Sequence, residues 1–278
     1  MATDIRPVPR TFWAPRVGEW IPFLALNALG AIAFLHPFFT GAAEPRSRWF
    51  EHSTDAPLVF GALAGLCLLL VVADMANGRL DSKTIAGLGV LAAMAAILRT
   101  VTLPAGANLF WTLVIVGGWV LGPRLGFLLG TLALVISAFI TGGIGPWMPF
   151  QAFAAGWVGL ASGLGGGVSR RFQPPFRLEV ASLAAIGALA AIFYGVVINL
   201  WSWPFFIGGP DISYQPGLGT LEALRRYGNY YLVTSFGWDL VGSICNALAL
   251  GIAGGPLVRA LKRFRARFSW QSEQVHYG

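Results

Sequence analysis

Asp239 is the one acid that falls well inside an apolar run, about ten residues or roughly 15 Å below the outer end of the last hydrophobic segment. A carboxylate at that depth is costly unless it is paired or faces water, so it is a functional candidate by default. A chain of such acids would suggest a proton- or sodium-coupled carrier, and a single one argues against it. A buried pair with Arg99, near the outer end of the third hydrophobic segment, is the structural alternative. Around these two charges, polar and aromatic residues recur at one depth of several segments: Asn108, Trp111, Trp147, Gln151, Asn199, Trp201, Trp203, Tyr230 and Tyr231. Aromatic faces supply stacking area while a few amides and charges fix orientation, which is what a pocket for a polar, ring-containing solute needs. An interfacial aromatic belt would place tryptophan and tyrosine at the same depth. For Trp201, Trp203, Tyr230 and Tyr231 the two readings stand level.

Hydrolytic and metal chemistry lack their parts. The histidines are His36, His52 and His276, none of them near the middle of an apolar run. The stretch Gly159-Leu160-Ala161-Ser162-Gly163 superficially matches an intramembrane protease serine, but no later segment carries the histidine such a serine needs as its base. Ser162 therefore reads as a small packing residue. Cys67 and Cys245 both lie in apolar segments, which fits neither a disulfide framework nor a zinc site. Gly163-Leu164-Gly165-Gly166-Gly167 does not follow a strand or precede a Lys-Ser/Thr pair, so it is no phosphate loop. No cofactor is expected, and ATP, if it powers transport, is hydrolysed by another chain.

The elements that must position these residues are membrane spans. Hydrophobic residues make up 56% of the 278 and charged residues 11%, with a mean hydropathy of +0.67, whereas soluble domains carry about 25% charged residues. Eight apolar runs fall at roughly 20–38, 57–74, 84–102, 108–121, 125–141, 146–167, 179–205 and 230–257, most of them long enough for about 30 Å of hydrocarbon. With an even number of spans both termini share a side. Fourteen of the nineteen Lys and Arg residues fall on that side, which puts both termini in the cytoplasm. The net charge of +7 is thus topogenic, and no nucleic-acid partner is expected. The basic run Arg259 to Arg267 reads as a stop-transfer anchor before an anionic-lipid contact. Met1 to Trp20 lacks the apolar core and cleavage site of a signal peptide, so the first run is expected to remain in the mature chain.

Two connections and one helix face are informative. The outer loops 39–56 and 206–229 are long enough to carry function. In Thr141-Gly142-Gly143-Ile144-Gly145-Pro146-Trp147-Met148-Pro149-Phe150-Gln151, three glycines permit a tight turn and the prolines suit a helix start. That turn would aim a helix N-terminus into the outer pocket, with Trp147 and Gln151 four residues apart on one face. In the third span Gly89 with Ala93, and Ala92 with Ala96, set small residues at four-residue spacing, which allows close helix approach in lipid, internally or against a partner.

Together these features resemble the substrate-binding S components of energy-coupling factor (ECF) vitamin transporters, over about residues 83 to 260. The best matching stretch runs from Leu121-Gly122-Pro123-Arg124-Leu125-Gly126 through Gly142-Gly143-Ile144-Gly145-Pro146-Trp147 to Pro149-Phe150-Gln151 and Gly156-Trp157-Val158-Gly159-Leu160. The resemblance implies an all-α polytopic membrane protein: a six-helix substrate-binding core at 83–260, preceded by a tail and two added transmembrane helices at 1–82 and followed by a basic cytoplasmic tail at 261–278. It implies a substrate-specific subunit of an ABC-type importer in a prokaryotic cell membrane. Such a subunit binds a vitamin-like micronutrient from outside, then topples while docked on a transmembrane T component and two ATPase subunits. Ala92-x-x-x-Ala96 matches the alanine motif with which such proteins contact the T component. The implied substrate residues are Arg99, Asn108, Trp111, Trp147, Gln151, Asn199, Trp203, Tyr231 and Asp239, with no metal. In that family the loop between the first two core helices, here Leu103 to Ala107, helps cover the pocket, a task the 206–229 loop is long enough to share. A tryptophan-rich face and a large lid favour cobalamin as substrate, with riboflavin or another aromatic vitamin next. The metal-ion branch of the family uses an N-terminal histidine-containing site, and no histidine precedes His36 here. The competing readings are a membrane enzyme or scaffold acting on lipid, for which the outer acids Glu44, Glu51, Asp55, Asp211 and Glu222 are too scattered, and a stand-alone ion-coupled carrier.

Overall fold

A computed structural model describes residues 20–40, 56–77 and 80–274. The N-terminal arginines, the 41–55 part of the first outer loop with His52 and its acids, Arg79 and His276 lie outside the described residues. The described chain is helical: α1 (Ile21–Thr40), α2 (Ala56–Ala76), α3 (Ser82–Thr100), α4 (Phe110–Leu121), α5 (Pro123–Thr141), α6 (Met148–Phe172), α7 (Phe176–Ser202), α8 (Thr220–Thr234), α9 (Phe236–Ala249) and α10 (Gly255–Gln274). A π-helical segment, Leu250–Gly254, joins the last two. The first seven expected spans each coincide with a helix, α1 to α7, whereas the eighth runs over the end of α8, α9 and the start of α10. Among the described residues, five segments are long and apolar enough to cross a bilayer: Ala56–Ala76, Ser82–Thr100, Pro123–Thr141, Phe176–Phe205 and Phe236–Ala266. The chain is a polytopic, all-α membrane protein.

α4 is the central helix, apolar all round, with ten of its twelve residues buried. It turns into α5 through Gly122 alone, whose φ of 98° is open to glycine and whose successor Pro123 starts the next helix. α5 and α6 then pack backbone to backbone. A side chain at Gly159 would collide with the Gly126 carbonyl, and one at Gly166 with the Trp119 carbonyl. The glycine-rich stretch is therefore an interhelical contact surface, as small residues provide in lipid. Ser162 sits within it, fully buried, and donates from Oγ to the Ile115 carbonyl at 2.6 Å.

The added helices lie against this core. α1 meets α6 through Phe34, whose ring centroid is 5.2 Å from that of Phe150, and through Asn27, which accepts from Trp157 Nε1 at 2.8 Å. α2 is pinned by Asp74, which pairs with Arg124 of α5 at 2.9 Å with both side chains nearly inaccessible. Asp74 stands at the end of its apolar run on the sequence, yet helix packing buries it.

Three expectations are corrected. The last span does not begin at 230: α8 is a separate amphipathic helix, and α9 starts at Phe236 after a break at Ser235. Asp239 consequently lies in the first turn of α9 and not about ten residues into a span. Ala92 and Ala96 are fully buried where α3 packs on α5, so the face expected to meet a partner is covered by this chain's own helix. The other small pair lies outward: a Cβ on Gly89 would meet nothing, and Val90, Met94 and Ile97 beside it are exposed.

The bundle has two unlike ends. One carries the connections 101–109, 142–147 and 203–219 together with α8. At the other, the C-terminal carbonyls of α4 are capped by arginines, Arg170 to Trp119 O at 2.8 Å and Arg265 to Val120 O at 2.7 Å, cations placed where the helix dipole favours them.

Candidate functional site

Between α4, α7 and α9, at the end carrying the long connections, lies a cavity of about 230 Å³. Trp111 of α4 and Tyr194 of α7 form its aromatic wall, their ring centroids 4.8 Å apart in an edge-to-face arrangement. α9 contributes Trp238, Asp239, Gly242 and Asn246, which recur at helical spacing and so share one face. Ala105, Gly106 and Ala107 close the rim. This rim is a tight turn: Leu103 N donates to Ala107 O at 2.7 Å, Thr102 bridges Asn108, and Ala105 is held at φ 55°, a conformation uncommon for a residue with a Cβ. Asn108 Oδ1 accepts from Phe110 N at 3.1 Å, opening α4 at the rim.

Asp239 is fixed from two sides. Tyr231 Oη donates to its Oδ2 at 2.9 Å, and its carboxylate lies against Gly195, where any side chain would take its place. Gly195 is what lets α9 bring an acid this close to α7. The alternative pair is not formed: Arg99 donates instead to Ser137 Oγ at 2.7 Å.

Of the nine residues expected to bind substrate, Asn108, Trp111 and Asp239 line the cavity, and Tyr231 stands behind Asp239. The other five do other things. Trp203 is almost fully buried and anchors the long connection, donating to Ile212 O at 2.9 Å and packing on Tyr214 and Tyr227. Asn199 accepts from Ser235 Oγ at 3.0 Å, fastening the α8–α9 break to α7. Trp147 folds over Gly145 and donates to Gly143 O at 3.2 Å, so it closes its own turn. Gln151 and Arg99 are absent from the cavity lining. Tyr194 and Asn246 had not been singled out. Their signal was present, since a tyrosine and an amide inside apolar runs each need a polar partner.

A family model described as ECF transporter, substrate-specific component, matches residues 83–253. The chain belongs to this family. It is the substrate-binding subunit of an ECF transporter and not an enzyme, and its family associates it with a T component and ATPases. No curated protein sequence and no solved structure matches the chain significantly.

Proposed function

We propose that this S component captures a vitamin-like, ring-containing solute in the cavity between α4, α7 and α9, with that end facing outward and both termini in the cytoplasm. The observation that carries the reading is the convergence of an aromatic wall, a fixed carboxylate and two amides on one concave site capped by a tight turn, the composition expected of a small-molecule pocket. Fourteen of nineteen bases on the opposite face support the orientation. A corrinoid is several times larger than the cavity, so its size favours an aromatic vitamin over cobalamin. The 203–230 region acts as a lid, held by Trp203 and by the Tyr214 hydroxyl on the Phe38 carbonyl of α1 at 3.4 Å. The T component docks on the outward stripe of α3 at Gly89 and Ala93, in place of the covered Ala92 and Ala96.

The test is mass spectrometry of the small molecule that co-purifies with the protein, followed by titration into Trp111→Ala. A bound ring compound whose affinity drops at least tenfold in Trp111→Ala supports the site. Wild-type affinity in that variant removes it.

A further inference from the structure

Asn246 is 3% exposed and lines the floor of the cavity. Among the described residues its Nδ2 is buried without a hydrogen-bond partner. Leaving such a group unpaired is costly, whereas a ligand that meets it gains a bond in a water-poor site. Asp239 lies seven positions earlier on the same helix, two turns or about 10 Å away along the axis, at the rim. Tyr231 occupies Oδ2, which leaves Oδ1 to accept. Among the described residues no arginine or lysine lines the cavity; Arg99, the base expected at this depth, donates to Ser137 and acts on the wall only at a distance, through Tyr194. The described lining therefore presents one carboxylate and no cation, one aromatic wall of Trp111 and Tyr194 set edge to face, and an unmet amide at the floor.

We infer that the cavity selects a flat nitrogen heterocycle bearing a positive charge or an exocyclic amino group, with that group on Asp239 at the rim and a ring heteroatom on the Asn246 amide at the floor. This rests on the reading of the cavity as the substrate site and adds the charge class of the substrate. A cationic ring gains twice here, from the carboxylate and from the aromatic faces. A ring carrying a carboxylate or phosphate meets the like charge of Asp239 at the rim.

The experiment uses the full-length protein in detergent or nanodiscs, with thiamine and pyridoxamine as cationic probes, riboflavin as a neutral one and nicotinate as an anionic one, beside the charge of the co-purified compound. The expected result is a basic or amine-bearing co-purified compound, tighter binding of a cationic probe than of nicotinate by at least tenfold, and loss of that preference in Asp239→Asn. That variant keeps an acceptor for Tyr231. Asn246→Leu is expected to weaken binding at least tenfold while keeping the charge preference. An anionic native compound, nicotinate binding as tightly as the cations, or an unchanged preference in Asp239→Asn overturns the inference. If Asp239→Asn does not fold, the wild-type probe order and the charge of the native compound decide. An anionic ring, or a neutral ring without an amino group, that binds more tightly than the cationic probes and depends on Trp111 overturns the charge class but leaves the site. Absence of any bound ring, native or added, overturns both.

Discussion

At Asp239 a carboxylate is placed by its neighbours' smallness as much as by their polarity. Gly195→Ala introduces a methyl where the carboxylate now lies, so it is expected to push Asp239 away from Tyr231 and weaken substrate binding about tenfold, read by titration, with little change in the unfolding temperature. Ala105 at φ 55° predicts the opposite kind of effect. Ala105→Gly relieves a left-handed conformation that costs an L-residue about 1–2 kcal/mol, offset in part by glycine's greater freedom when unfolded; a small gain in thermal stability is the expected outcome. Glu222 of α8 is held below the usual carboxylate range, chiefly by its hydrogen bond from Arg226. A lowered folded-state pKa contributes stability that is present above the unfolded value, about 4.3, and is lost as the pH falls through the folded one. Acid should therefore loosen α8 below about pH 4.3, seen as a change in Trp203 fluorescence that Glu222→Gln abolishes.

At the scale of elements, α4, α5 and α6 depend on glycine positions at which neighbouring backbones touch. Gly159→Val drives a branched side chain into the Gly126 carbonyl, and overpacking of this kind costs about 1–3 kcal/mol. A lower unfolding temperature in detergent is expected, while the same substitution at Gly89, which faces open space, leaves it unchanged. The two small pairs of α3 separate by the same logic. Ala92→Trp is expected to prevent folding, because the residue is fully buried. Gly89→Trp should spare substrate binding and abolish uptake when the T component and ATPases are present, and unimpaired uptake would show that this stripe faces lipid only. Much of this level was legible beforehand. Apolar length located α1 to α7, and the Gly-Pro punctuation at 122–123 and 142–149 marked the turns. The start of the last span was not legible, because Tyr230, Tyr231, Leu232 and Val233 extend its apolar run on the sequence while belonging to α8. Hydropathy does not register a change of helix direction.

For the whole molecule, the added helices are fastened to the family core at both ends. α1 reaches the long connection through Phe38 and Tyr214, whose ring centroids are 5.2 Å apart, and α2 is held by the buried Asp74–Arg124 pair at the other end. Removing one partner of a buried ion pair costs about 3–5 kcal/mol. Asp74→Ala is thus expected to lower the unfolding temperature and to open the Cys67 thiol of α2 to alkylation, whereas Arg225→Ala on the exposed surface changes neither. Composition and the length of the apolar runs had determined that the chain lies in a bilayer as a set of helices, since these depend only on residue counts and on distance along the chain. Which polar residues meet was decided by the tertiary structure. Trp147 and Gln151 share a helix face and still miss the cavity, while Trp111, Tyr194 and Asn246 are distant in sequence and converge on it. Apolar length can be read from a linear pattern, but where a helix begins and how it is rotated about its axis are set by tertiary contacts such as Gly195 against Asp239.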